Sequence, residues 1–345
     1  MFLLTLNSKE QALLIPFKIT LPSQRKPLFE YTSYIKSVNN YLYLGVFKWV
    51  NYRKYETGYE LKNAISCSLI SMFLRTSKNL EHLSLNEIIC SQLVFENLYE
   101  NTTITSINLN PINNIFRSKA IDVLIKVLYK NSTLTSLDLR NQLTRGWPTP
   151  YSIGTEGGKA LAGALCKNTS LTSLNLSYNS IGPEGGKAFA DALCINITLK
   201  NLNLCGNKLD SEVGKALADA LCKNVTLTSL NICDNYLGSE GGRALADALC
   251  KNTALISLNL QNNNLGSEGG KALADALCMN ATLTSLNLAY NNLGLEGGKA
   301  LADALYKNTA LTSLNLQEND LGGIALAYAL CNNTMLTSLN LPSTV

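Results

Sequence analysis

The feature that most constrains this chain is a phrase that returns at a fixed interval. A leucine opens each copy at Leu171, Leu199, Leu227, Leu255, Leu283 and Leu311, 28 residues apart each time. A period of this length marks a repeat architecture, in which no unit can bury its apolar face alone and each must stack on its neighbours.

Within a copy the pattern reads L-x-x-L-x-L-x-x-N-x-L, then a Gly/Glu-rich segment, then K-A-L-A-D-A-L-C. The spacing of Leu199, Leu202 and Leu204 ends in a period of two, which predicts a short strand with one buried face. From Val213 to Leu221 the period lengthens to that of a helix: Val213, Ala216, Leu217, Ala220 and Leu221 share the inner side, and Lys215, Ala218, Asp219 and Cys222 the outer. Glu240-Gly241-Gly242 and its equivalents read as tight turns leading into helices. Parallel strands sit about 4.8 Å apart and helix axes roughly 8 to 10 Å apart, so the stack must bend with its strands inside. Ala216 and Ala220 are expected to draw the helices together and soften that bend.

The phrase LTSLNLSYNSIGPEGGKAFADAL (Leu171 to Leu193) resembles the leucine-rich repeats of the ribonuclease-inhibitor type, as found in ribonuclease inhibitor, NOD-like receptors and the activator of the Ran GTPase. The resemblance implies an α/β solenoid over residues 80–345: a right-handed β-α horseshoe with parallel strands on the concave face and helices on the convex face. These families share a scaffold and differ in what they do.

Residues 1–79 differ in character. They hold seven of the 15 tyrosines and 11 Lys/Arg against 4 Asp/Glu, whereas the remainder holds 18 against 21. The helix predicted over Leu61 to Leu74, with Leu61, Ile65, Leu69, Met72 and Phe73 inward, makes this region a mostly helical cap for the first repeat. Its phrases PFKITLPSQRKPLFEYTSYIKSVN (Pro16 to Asn39) and SLISMFLRTSKNLEHLSL (Ser68 to Leu85) resemble the segment that follows the F-box in fungal F-box/leucine-rich-repeat proteins. That resemblance implies substrate recognition for a ubiquitin ligase, with a Skp1-type adaptor as partner.

The repeats begin irregularly, with strands led by Leu80, Ile104 and Leu134 at spacings of 24, 30 and then 37 residues to Leu171. The last spacing carries a nine-residue insertion within Asn141 to Ser152, where Trp147, between Gly146 and Pro148, is a candidate binding anchor. Further on, Asn179, Asn207, Asn235, Asn263, Asn291 and Asn319 follow the strands, where an amide can satisfy loop backbone groups. A second series, Asn168, Asn196, Asn224, Asn252, Asn280 and Asn308, follows the helices, where asparagine tolerates the left-handed ending. Several of these open N-x-[ST] sequons, which read as a by-product of the repeat. On the outer face Lys187/Asp191, Lys215/Asp219, Arg243/Asp247, Lys271/Asp275 and Lys299/Asp303 are expected i,i+4 pairs.

The ten cysteines do not read as a disulfide framework. Cys166, Cys194, Cys222, Cys250 and Cys278 recur near helix ends, a helix spacing apart and too far to bridge, and are expected to be free, unreactive thiols. Cys205 and Cys233 hold the same strand position in adjacent repeats; the expectation is proximity without redox or metal chemistry. Catalysis lacks an inventory: His82 is the one histidine, read as a strand-face residue, and no phosphate-cradling motif or metal-spaced cysteine pair occurs. No metal or cofactor is expected. The basic excess lies outside the repeats, which argues against nucleic acid, and no apolar run has membrane length. The expected location is the cytoplasm or nucleus.

What remains is the concave surface, with a small polar floor (Thr172, Ser173, Asn175 and equivalents) and variation at the strand exits. Arg140, Trp147, Tyr178, Asp234, Tyr236, Gln261, Asn262, Tyr290, Gln317 and Glu318 are the candidate partner-binding residues. The chain reads as a non-enzymatic scaffold for a protein partner; regulation of a small GTPase, as the Ran activator performs, and a NOD-like-receptor-related repeat module are the alternatives.

Overall fold

A computed structural model of the chain describes residues 5–17, 31–52, 59–85, 92–109, 116–141, 143–144, 147–148 and 152–341. They fall into two compact units, Met1–Tyr151 and Ser152–Val345.

The first unit contains helices α1 (Ser8–Ala12), α2 (Asn40–Tyr52), α3 (Tyr59–Thr76), α4 (Gln92–Glu100) and α5 (Phe116–Lys130). Its strands β1 (Ser37–Val38), β2 (His82–Ser84), β3 (Ser106–Asn108) and β4 (Ser136–Asp138) pair in parallel in that order. The predicted cap is helical, and it also contributes a strand: β1 lies against the first repeat strand, where Glu81 and His82 N–H groups donate to the Lys36 carbonyl at 2.9 and 3.1 Å. Backbone groups on that edge of β2 are thereby paired rather than left open. The inward residues predicted for α3 are buried, and Cys67, Ile70 and Leu74 on its other sides are buried as well. A capping box opens α1, with Asn7 Oδ1 accepting from Glu10 N at 2.9 Å and the Glu10 carboxylate from Asn7 N at 2.7 Å. Glu10, 0% exposed, also accepts two bonds from Arg75 on α3, which fastens the short helix to the long one.

Among the described residues of the insertion, β5 (Leu143–Thr144) pairs antiparallel with β6 (Trp147–Pro148). The side chain of Trp147 lies outside the described residues.

In the second unit, helices α6 (Gly154–Leu165), α7 (Gly182–Ile195), α8 (Ser211–Leu221), α9 (Gly238–Leu249), α10 (Gly266–Met279), α11 (Gly294–Lys307) and α12 (Gly323–Asn332) alternate with strands. The strands β7 (Ser173–Asn175), β8 (Asn201–Asn203), β9 (Ser229–Asn231), β10 (Ser257–Asn259), β11 (Ser285–Asn287), β12 (Ser313–Asn315) and β13 (Ser338–Asn340) are parallel and in register, with Leu174 opposite Leu202, Leu202 opposite Leu230, and so on. From β7 to β12 the central leucine of each strand is buried and the residues on either side face outward. This is the repeating strand–helix solenoid that the 28-residue period predicts.

Several expectations need correction. Glu240, Gly241 and Gly242 lie inside the first turns of α9, not in a turn before it; the turn is made by Gly238, at φ +61°. Glycine, more than alanine, sets the close helix approach: a Cβ on Gly214 would sit 2.7 Å from the Cα of Gly241 in the next repeat. Ala218 is buried and Ala216 only half-buried, because each helix is flanked by helices on two sides and the buried stripe widens toward them. The lysines pair with the glutamate three residues before them rather than the aspartate four after: Lys215–Glu212 at 2.9 Å, Lys271–Glu268 at 3.3 Å and Lys299–Glu296 at 3.2 Å. An acid placed N-terminal to its base is the favoured order. Lys215 also reaches Glu240 in the next repeat at 2.7 Å, which raises the lysine pKa above its usual range and lowers that of the glutamate.

The helix-end asparagines do not adopt the left-handed conformation. Asn196, Asn280 and Asn308 are extended, with φ −73°, −83° and −75°. Their side chains act instead: Asn196 Oδ1 accepts from Thr198 N and Leu199 N at 3.0 and 2.8 Å, and its Nδ2 donates to the carbonyls of Leu165 and Asn168. Asn101 and Asn131 do the same in the first unit. The amides of the sequons at Asn196, Asn224 and Asn280 are thus buried and engaged.

Candidate functional site

Three residues past the asparagine that ends each strand from β7 to β12, the backbone turns left-handed. Tyr178, Gly206, Asp234, Asn262, Tyr290 and Glu318 have φ of +60°, +67°, +53°, +53°, +58° and +52°. The regularity has a cause. Asn179 and its equivalents sit just behind these positions, and Asn207 Nδ2 donates to the Leu176 and Cys205 carbonyls while its Oδ1 accepts from Asn179 N and Ile181 N. Meanwhile Tyr178 N donates to Cys205 O at 2.7 Å, Asp234 N to Gln261 O at 2.9 Å and Tyr290 N to Gln317 O at 2.9 Å. Locked from behind and from the side, the exit residues form a ladder of one residue per repeat along the rim of the strand face.

Three of them are joined. Tyr178 reaches across Gly206, where any Cβ would run into its ring, and its hydroxyl donates to Asp234 Oδ2 at 2.7 Å. The other oxygen of Asp234 accepts from Asn262 Nδ2 at 3.0 Å. Burial, followed by the hydrogen bond to Asp234 and its negative charge, pushes the Tyr178 pKa up to about 12. Gln261 accepts from Asn287 at the neighbouring strand end. Tyr236 and Tyr290 are 69% and 50% exposed, and Gln317 and Glu318 are exposed as well. Arg140 and Trp147 belong to the first unit. Arg140 is held by its own Asp138, with Nη2 donating to Oδ2 at 2.6 Å. His82 is exposed on β2.

The largest departure from expectation lies under this ladder. Cys205 and Cys233, on adjacent strand ends with Cα atoms 4.6 Å apart, are joined by a disulfide. Sequence spacing placed them side by side; that they bond follows from in-register parallel pairing, which brings identical positions of two repeats within bridging range. Asp234 Oδ2 lies 3.5 Å from Cys205 Sγ and 4.0 Å from Cys233 Sγ. Among the described residues, Cys205, Cys233 and Asp234 are the group whose ligand atoms converge closely enough for a metal ion, all within 4.8 Å of one another. The helix-end cysteines Cys166, Cys194, Cys222, Cys250 and Cys278 are free thiols. Burial, with the charge of Asp247, raises the pKa of Cys250 and so disfavours its thiolate.

The leucine-rich repeat family matches residues 167–190, 223–246, 251–274, 280–302 and 307–327, and the chain carries leucine-rich repeats there. No curated protein matches the chain. Among solved structures, the yeast Rad7 and Elc1 complex is similar at 18% identity over 79% of this chain and 64% of that one, with a TM-score of 0.53. Leiomodin-1 actin-binding site 2 matches at 25% identity over 42% of this chain and 86% of that one, with a TM-score of 0.39. The tropomodulin C-terminal domain of Caenorhabditis elegans matches at 16% identity over 44% and 92%, with a TM-score of 0.38. The likeness to the Rad7 structure is one of fold. Among the described residues no helix is long and apolar enough to cross a membrane.

Proposed function

We propose that this chain is a non-enzymatic scaffold that holds a protein partner on the strand face and rim of its second unit. The observation that carries this reading is the exit ladder. A repeating backbone fixes one side chain per repeat in the left-handed region, and the positions so fixed are chemically diverse while the strand floor is nearly uniform Ser, Thr and Asn. A left-handed Tyr178, Tyr290 or Glu318 costs backbone energy of about 1 to 2 kcal/mol that glycine would spare. Exposed tyrosines on a rigid frame, with an acid and amides between them, suit a macromolecular surface better than a small molecule, which favours an enclosed apolar pocket.

Recognition of substrates for an F-box-type ubiquitin ligase is the finer reading. It is supported by the resemblance of residues 16–85 to the post-F-box segment, and the fold neighbour Rad7 was solved as a complex with Elc1. Affinity capture compares wild type with Tyr178→Ala, Tyr290→Ala, Trp147→Ala and the helix-face control Lys299→Ala. Captured proteins are expected to be lost with the tyrosine variants and kept with Lys299→Ala; equal capture by all would refute the rim as the binding surface. A Skp1-type adaptor or cullin among the captured proteins supports the ligase reading, and their absence counts against it. GTP hydrolysis by small GTPases in the presence of the protein tests the regulator alternative.

A further inference from the structure

The group formed by Cys205, Cys233, Asp234 and Tyr178 does more than the scaffold requires. Elsewhere the strand-exit ladder is held without cysteine: in the neighbouring repeats the position of Cys205 and Cys233 is Ser177, Gln261, Ala289 and Gln317. Two cysteines therefore occur only on the two adjacent strands where they meet, directly beneath the one acid of the exit ladder that two neighbours orient. Both sulfurs are buried, with the cysteines 4% and 8% exposed.

We propose that, when the Cys205–Cys233 disulfide is reduced, the two thiolates and the Asp234 carboxylate bind one soft divalent ion of the zinc type. This reading does not depend on partner binding at the rim. A dithiol reductant supplies two electrons and two protons and is itself oxidised to a disulfide; the Cys205–Cys233 bond breaks and leaves two thiols. Each thiol then loses its proton to water as its sulfur takes up the ion. A tetrahedral zinc with bonds of about 2.3 Å to sulfur and 2.0 Å to oxygen needs sulfur–oxygen edges of about 3.5 Å and a sulfur–sulfur edge of about 3.8 Å. The two sulfur–oxygen distances, 3.5 and 4.0 Å, are already close to this. The sulfurs must move apart, which a turn about χ1 of one cysteine supplies. Thiolate ligation selects zinc, cadmium or cobalt over magnesium and calcium. The phenol of Tyr178, 2.7 Å from Asp234 Oδ2, orients the carboxylate from outside, and Asn262 holds the other oxygen. Water completes the fourth position. Bound there, the ion would tie together the two strand ends that the disulfide joins under oxidising conditions.

Cobalt titration of the reduced, full-length chain under anaerobic conditions tests this. Wild type is expected to take up one more Co²⁺ than Cys205→Ser/Cys233→Ser, with a thiolate-to-cobalt charge-transfer band that zinc abolishes and magnesium does not. Asp234→Asn is expected to weaken the affinity about tenfold or more, and Tyr178→Phe to weaken it less. Because the double serine variant loses a cross-link, its fold is checked by melting, and Asp234→Asn, which keeps both cysteines and the side-chain size, provides an independent reading. Equal cobalt uptake and equal bands in wild type and the double variant would overturn the site. So would unchanged affinity in Asp234→Asn, or a disulfide that resists a dithiol until the protein unfolds.

Discussion

Replacing Asn235 with alanine tests whether the asparagine ladder holds the repeats in register. Asn235 is 3% exposed, and its Oδ1 accepts from the backbone N–H groups of Asn207 at 2.9 Å and Leu209 at 3.0 Å, both in the preceding repeat. Its Nδ2 donates to the carbonyls of Leu204, Ile232 and Cys233. The loss falls unevenly on these groups. The Ile232 carbonyl keeps a bond from Asn263, and the Cys233 carbonyl keeps one from Gly206 N. The two N–H groups lose the acceptor that serves them both.

A buried donor without a partner costs about 1 to 3 kcal/mol, so two cost roughly 2 to 6. The space left by the carboxamide has the polar lining that holds a water, which recovers part of this; the expected loss is about 2 to 4 kcal/mol. Urea unfolding followed by circular dichroism is the first assay, read as a shift in midpoint at constant slope. Hydrogen exchange is the second, because a repeat array loses stability locally. The amides of Asn207 and Leu209 are expected to exchange much faster, and those of the last repeats to be unchanged. An unfolding free energy within about 0.5 kcal/mol of wild type, or unaltered exchange at those two amides, would refute the ladder as a structural requirement.

Two further substitutions separate helix propensity from packing. Gly214→Ala places a methyl 2.7 Å from the backbone of Gly241; the repacking cost of about 1 to 3 kcal/mol outweighs the gain of up to about 1 kcal/mol from helix propensity, and the melting temperature is expected to fall. Gly45→Ala, within α2 and with nothing inside 4 Å of its Cβ position, is expected to raise stability by about 0.5 to 1 kcal/mol; the opposite order in thermal melts would refute the close-approach argument. The raised Tyr178 pKa gives a pH dependence whose sign is fixed. The neutral phenol is favoured in the folded state, so its contribution to stability is complete below pH 10 and is lost as pH rises from 10 toward about 12. Difference absorbance at 295 nm is expected to show one late-titrating phenol in wild type that Tyr178→Phe lacks, and identical titrations would remove the Tyr178–Asp234 bond from the argument.

The repeat could be read from residue order because each unit's chemistry is local. A period of 28 with a two-residue and then a helical apolar rhythm leaves little choice but alternating strands and helices, and the polar residues that close the turns recur with it. Ion pairs within a helix were legible only partly. Lys215 had an aspartate four residues after it and a glutamate three before it on its own helix, and the choice of Glu212 depended on the direction in which the side chains lean. The left-handed exits were not legible at all, since tyrosine and glutamate have no preference for that conformation. They are imposed by the asparagine behind them and by the next repeat's carbonyl.

Sequence alone therefore determined that the chain is a stack, where its units begin, and that Tyr178, Asp234, Asn262, Tyr290 and Glu318 share one position of the repeat. Tertiary structure alone decided that glycines rather than alanines set the helix spacing, that Glu10 is buried against Arg75, and that Cys205, Cys233, Asp234 and Tyr178 meet at one point. The physical reason is distance along the chain. Periodicity reports what a residue does within its own unit, whereas these contacts join residues 27 to 65 positions apart and exist only once the chain has folded back on itself, by cap packing for Glu10 and by in-register stacking for the rest.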